Sequence, residues 1–422
     1  MDHLFTQIEL PCGQRLQNRL AKTAMEESMA DQPGQLPGRR IETLYQRWAR
    51  GGSGLIITGN VMVDRRALTS PGTIVLDAAS PLDPFRRWAQ AASSGGGRAW
   101  LQINHPGRQV TSDMPGTAWA PSAIGVSLGR HTKRFARPTA MTEADIQATI
   151  ERFAVTAQRA EEAGFHGVQI HSAHGYLLNQ FLSPLVNRRT DEWGGSLENR
   201  ARLLTEVVRA VRSCVSPSLA VGIKLNASDF QRGGFDIDEA TKVISLLDGL
   251  GVDLVELSGG SVESAATMGR TADDRPLDRD AYFLSLTQRL VKTATIPLML
   301  TGGIRSREAA ARVLAHGFPL VGMARALALD PDLPIRWQAG NSRQITVPRL
   351  HWRDQDLAAA GTLAYIRAQL NRLATGRTPK PDMSARWTFT LDTLQRPDAL
   401  RRYRNWLKDN PAPEPKTKAD FG

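Results

Sequence analysis

The sequence predicts an α/β chain closing into a (β/α)8 TIM barrel, followed by a helical C-terminal extension. Three observations carry this. Between residues 19 and 325, eight short apolar runs alternate with amphipathic helical segments. The runs are apolar on both faces, as parallel strands covered by flanking helices must be. No G-x-G-x-x-G opens the first strand–helix turn, which argues against a dinucleotide-binding open sheet.

The elements follow in order. Residues 1–17 read as a lead-in and 19–25 (RLAKTAM) as the first strand. The segment 36–51 has a helical pattern and stops at Gly51-Gly52. GLIITG (54–59) is a β-branched second strand. A helix is expected over 80–92, with Ser80 as cap and Pro81 at its first position. GRAWLQI (97–103) is the third strand. The Pro- and Gly-rich stretch 104–140 is too long for a simple connection and reads as a lid or substrate loop. A helix over 141–164 carries Thr142 and Asp145 as its starting box and Gly164 as its stop. Strand 167–171 is followed by a helix over 196–212, capped by Ser196. Strands 219–225, 253–259, 296–303 and 319–325 then alternate with helices 236–251, 278–294 and 306–317. The barrel is assigned to 1–340 and the extension to 341–422. The extension is expected to hold a helix over 357–376, a Pro-rich break and a basic helix near 394–408. Its Pro- and Lys-rich end is expected to be disordered.

Chemistry concentrates after the fourth strand. His171, His174 and Tyr176 put three protic groups at one strand end, which are costly to bury without a purpose. Imidazole donors and a phenol acid are what a site needs to polarise a carbonyl and hand over a proton. That face of a barrel is where its active sites lie. TGGI (301–304), with Gly302 and Gly303, and GMAR (322–325), with Ala324 and Arg325, close strands seven and eight. Loops there often cradle a phosphate. Gln102 offers a donor and acceptors suited to a flavin's pyrimidine edge, and Lys224 a cation for negative charge on a reduced flavin.

Composition limits the alternatives. No run of about 18 apolar residues exists, so no membrane span is expected. The N-terminus lacks the basic start and apolar core of a signal peptide. Cys12 and Cys214, far apart and outside any CxxC, exclude a Cys-ligated iron–sulfur cluster or disulfide framework. They fit a cytoplasmic protein. No metal ligands are expected. The net charge of +11 is uneven: residues 341–422 hold 15 Lys/Arg against 8 Asp/Glu. That excess reads as a solvated face rather than a nucleic-acid site.

Together these stretches resemble the old yellow enzyme family of FMN-dependent ene-reductases. The matching segments run in order from NRLAKTAM (18–25) through GLIITGNVMV, LQINHPGRQ, APSAI, VGIKL, DLVELSGG and LTGGIRS to VGMARAL. The 37-residue block 164–200 is the most specific. The resemblance implies an NAD(P)H-dependent FMN oxidoreductase that reduces the activated C=C bond of a small α,β-unsaturated carbonyl compound. It implies Ala24, Met25 and Asn60 beside the isoalloxazine ring, Gln102 on the pyrimidine, and Lys224 near N1 and O2. Gly302, Gly303, Ala324 and Arg325 would hold the phosphate. His171 and His174 would bind the substrate carbonyl oxygen, and Tyr176 would give the proton that follows hydride from flavin N5. The chain departs from the family in having Ala24 for a common Pro, Glu26 for Cys or Thr, and Lys224 for Arg. The last keeps the charge and loses the planar fork. NADH against NADPH and homo-oligomerisation stay open. Two other chemistries stay open as well: amine or ether oxidation on the same barrel, and RNA dihydrouridine synthesis, which would require a loop cysteine resembling NxGCP.

Overall fold

The computed structural model describes residues 2–413 except 32, 265–280, 282, 349 and 351. Eight parallel strands close a barrel in which every strand pairs with its sequence neighbours. They are β1 (Leu20–Lys22), β2 (Leu55–Met62), β3 (Arg98–Asn104), β4 (Gly167–Ser172), β5 (Ala220–Asn226), β6 (Leu254–Ser258), β7 (Leu298–Thr301) and β8 (Leu320–Met323). β8 returns to β1 through Val321–Leu20 and Met323–Lys22, which completes the circle. β2 outlasts its expected end at Gly59, and its register on β3 shifts between Ile57 and Asn60.

Helices α1 (Arg39–Ala49), α2 (Asp83–Ser93), α3 (Glu143–Glu162), α4 (Leu197–Cys214), α5 (Ile237–Leu247), α6 (Leu284–Thr293) and α7 (Arg307–Ala315) cover the outside. Three begin as the sequence predicts. Thr142 and Asp145 form a reciprocal capping box, Ser196 accepts from Asn199 N–H, and Ser306 accepts from Ala309 N–H. The start of α2 is a correction. The helix begins at Asp83 with no side-chain cap, while the Ser80 hydroxyl closes a turn with Asp77. Part of the helix expected over 278–294 lies outside the described residues; α6 starts at Leu284.

Two cores result. The annulus between strands and helices is packed with residues such as Tyr45, Trp48, Trp88, Phe153 and Val207. Inside the barrel floor lie Ala21, Leu55, Ile57, Trp100, Ala220, Leu254, Met299 and Leu320. Trp100 fills the space that two glycines leave. A Cβ on Gly167 would come within 2.7 Å of its indole nitrogen, and one on Gly222 within 2.6 Å of its ring. Its N–H donates to Gln14 Oε1 at 2.8 Å, from the lead-in hairpin that closes the bottom.

The C-terminal segment packs back on the barrel. α8 (Gln355–Ala374) buries Tyr365, Ile366, Leu370 and Leu373 in the annular core. α9 (Ala385–Asp409) starts well before the expected 394 and carries Pro397 in its interior. It lies over loops at the strands' C-terminal ends. Arg396 pairs with Asp113 at 2.8 Å, and Tyr403 donates to Arg65 O at 2.7 Å. Part of the basic excess is therefore used in ion pairs. The chain's end, from residue 414, lies outside the described residues.

Candidate active site

Inward positions on a barrel strand recur every second residue. On β4 they are Gly167, Gln169 and His171; on β5, Gly222, Lys224 and Asn226; on β6, Leu254, Glu256 and Ser258. Polar side chains thus converge above the apolar floor, at the C-terminal mouth.

The structure brings His171, His174 and Tyr176 together. The His171 ring meets His174 edge-on at 5.1 Å and Tyr176 at 4.8 Å between centroids. His171 Nδ1 accepts from Ala173 N–H at 3.2 Å, so its proton resides on Nε2. Burial, then His174 and Lys224, holds its pKa well below the usual imidazole value. Burial and Lys224 do the same for His174, so both rings are neutral. His174 Nε2 lies 2.7 Å from Ser258 Oγ. Its backbone sits at φ 60°, a sparsely populated region for a residue with a side chain. Asn226 Oδ1 on its N–H and Gln109 Nε2 on its carbonyl hold that turn. Burial, then the charge of Glu26, pushes the Tyr176 phenol well above its ordinary value.

Below these lies a hydrogen-bonded chain. Gln102 donates to Gln169 Oε1 and Gln169 to Glu256 Oε2, each at 2.8 Å. Glu256 Oε1 pairs with Lys224 Nζ at 2.8 Å. The cation expected at Lys224 is therefore matched by a fully buried carboxylate. Glu26, after β1, accepts at one oxygen from the hydroxyls of Ser28, Thr69, Ser70 and Thr73, at 2.7 to 3.3 Å.

β7 and β8 lie side by side, with Thr301 opposite Gly322. Their ends bring Gly302 and Gly303, at φ 110° and 73°, near Ala324 and Arg325. With no side chain at either position, the backbone there leaves room for a close approach by an anion. Ala24 and Met25 are half-buried at the end of β1. Asn60 is buried, and among the described residues its Oδ1 has no hydrogen-bond partner.

These residues fit FMN. Gln169 takes the Gln102 amide N–H and leaves Gln102 Oε1 as an acceptor for a ligand N–H. The orphaned Asn60 Oδ1 is a second acceptor, and the glycine pair with Arg325 suits one phosphate. Neither cysteine belongs to the mouth. Cys12 packs at the barrel floor, and Cys214 donates to Ala154 O and Val211 O at 3.2 Å on the helical layer. A cysteine-dependent RNA chemistry has no residue here to perform it.

Reading residues singly missed Gln169, Asn226, Glu256 and Ser258, together with the hydroxyls around Glu26. The first four carry a signal: polar residues at every second position of otherwise apolar runs, VQIHS, IKLN and VELS. The hydroxyl cluster joins residues 26–28 to 69–73 and has no local signature. Among the described residues, one group of metal-ligand types gathers, His131, Asp354 and Asp356. There Asp354 is already engaged by Arg130, by His131 and by the first backbone N–H groups of α8.

Comparison with known proteins agrees with this geometry. The pattern of the NADH:flavin oxidoreductase / NADH oxidase family matches residues 3–344. The chain is 36% identical over 354 residues to the NADH-dependent flavin oxidoreductase iliE of Hypocrea jecorina, covering 79% of this chain and 88% of that protein. Among solved structures it resembles morphinone reductase in complex with tetrahydroNAD. That match has a TM-score of 0.66 and 27% identity, and covers 82% of this chain and 92% of the other. It also resembles the old yellow enzyme homologue of Zymomonas mobilis, at 0.69 and 25%, covering 82% and 94%.

Proposed function

Because the chain belongs to the NADH:flavin oxidoreductase / NADH oxidase family, of the old yellow enzyme type, we propose that it reduces the activated C=C bond of small α,β-unsaturated carbonyl compounds. The observation that carries this reading is the pair of neutral imidazoles beside a protonated phenol at the end of β4. FMN, with NAD(P)H as reductant, supplies the two-electron chemistry. Gln102 and Asn60 would hold the ring, with Ala24 and Met25 beside it. Lys224 would lie at the pyrimidine, and Gly302, Gly303, Ala324 and Arg325 would take the phosphate.

The chain's own groups do the rest. His171 offers Nε2–H to the substrate's carbonyl oxygen. His174 Nε2 lies against Ser258 Oγ; in the tautomer that takes the Ser258 proton, the Nδ1–H of His174 is the second donor. Neutral donors aimed at one oxygen bind it better as negative charge grows there, so they favour the transition state over the ground state. Tyr176 keeps its proton at neutral pH, because burial and Glu26 oppose the phenolate. It gives that proton to the substrate α-carbon and regains one from solvent.

Product analysis tests the assignment. Incubation of the holoenzyme with NAD(P)H and 2-cyclohexenone is expected to yield cyclohexanone in step with nicotinamide oxidation. Nicotinamide oxidation with the enone recovered intact would overturn it.

A further inference from the structure

The family resemblance leaves Glu26 unexplained, and its surroundings are unusual. Ser28, Thr69, Ser70 and Thr73 converge on one carboxylate oxygen, and among the described residues no cation joins them. Hydroxyl donors stabilise a carboxylate without cancelling its charge. Two nearby cations are already taken by carboxylates, and the two imidazoles add none. His171 and His174 are neutral. Lys224 is matched by Glu256, and Arg108 by Glu263. The carboxylate lies close enough to the proton donor for its charge to act on the Tyr176 phenol. It is half-buried, where screening by water is weak.

We propose that Glu26 is a specificity-determining residue that makes this site accept uncharged and cationic carbonyl substrates and turn away those bearing a carboxylate. This rests on the reading that the mouth binds enones. A substrate entering between Tyr176 and the imidazoles brings its substituents past a fixed negative charge. Like charge there opposes binding and opposite charge assists it, with no direct contact required. The hydroxyl clamp matters because a mobile carboxylate would swing to water and lose this influence.

The test uses the oxidised holoenzyme and three cyclohexenones of similar shape, carrying an isopropyl, a trimethylammonium or a carboxylate group at the same ring position. Dissociation constants come from the change each causes in the visible spectrum of the bound flavin. The wild type is expected to bind the ammonium compound about tenfold or more tightly than the carboxylate, with the uncharged one between. Raising the ionic strength should narrow the gap. Glu26→Gln should bring the ratio near one, and Glu26→Asp should retain a preference of the same sign. Should Glu26→Gln lose its flavin, Glu26→Thr serves as a second neutral variant. A ratio near one in the wild type, or the same ratio in wild type and neutral variant, would overturn the proposal. Turnover separates the two readings. An enzyme that reduces no uncharged enone but keeps the charge contrast leaves Glu26 in its role and removes the enone assignment. Reduction of the uncharged enone without any contrast removes the role of Glu26 alone.

Discussion

The lower and upper halves of the barrel interior are built on the same strands and could hardly differ more. At the floor the inward residues are Ala21, Leu55, Ile57, Trp100, Ala220, Leu254, Met299 and Leu320. Two positions or so further along they become Gln102, Gln169, His171, Lys224, Asn226, Glu256 and Ser258, every one no more than 4% exposed. Burying such groups costs free energy unless they satisfy one another. Here they do so through the run Gln102–Gln169–Glu256–Lys224. The contrast divides the labour: the lower half closes the barrel, and the upper half holds a polar surface in fixed positions for chemistry.

The comparison breaks most readily at Trp100. Trp100→Ala should cost roughly 3–5 kcal/mol in a denaturant unfolding curve, as large-to-small changes of a buried Trp do, since Gly167 and Gly222 cannot refill the space. An unfolding free energy close to wild type would mean the floor is not where the barrel's stability resides. In the upper half, Tyr176→Phe should fold and bind FMN normally. It should slow reoxidation of the reduced enzyme by an enone by roughly 10²–10⁴, leaving reduction by NAD(P)H nearly intact. Equal slowing of both half-reactions would make Tyr176 structural. His171→Ala removes one donor to the carbonyl and should lower enone turnover by roughly 10²–10³ with flavin content unchanged. Unchanged turnover would misplace the carbonyl clamp.

The smallest effect is on pH dependence. Burial lowers the pKa values of His171, His174 and His105, the last to about 4. Below the unfolded value of about 6.5 the unfolded chain therefore binds more protons than the folded one. Stability is unaffected by these groups above that pH and is lost as pH falls beneath it, by up to about 1.4 kcal/mol per pH unit for each histidine. Unfolding midpoints at successive pH values, in wild type and His105→Gln, check the sign: the variant should lose stability less steeply. Identical slopes would mean that His105 titrates normally in the fold.

Much of this architecture was legible because its causes are local. Strand–helix alternation announces the barrel, and Thr142 and Ser196 announce helix starts through contacts three residues away. The cluster His171, His174 and Tyr176 was legible because one strand end carries all three. What escaped depends on partners distant in sequence. Ser80 has the look of a cap, but Asp77 takes its hydroxyl, and nothing in the Ser-Pro pattern says so. Glu256 matters only because strand register sets it beside Lys224. Glu26 meets hydroxyls more than forty residues away. The docking of α9 over the mouth rests on pairs such as Arg396 with Asp113, separated by almost three hundred positions.

The central claim is that the polar upper half reduces enones through a proton from Tyr176. An anaerobic stopped-flow experiment addresses it directly. The holoenzyme is reduced with one equivalent of NADH, mixed with 2-cyclohexenone, and followed by the return of the oxidised flavin's visible band. The account expects rapid reoxidation by the enone, slowed at least about a hundredfold in Tyr176→Phe. A flavin that stays reduced with the enone and reoxidises only when oxygen is admitted would contradict it.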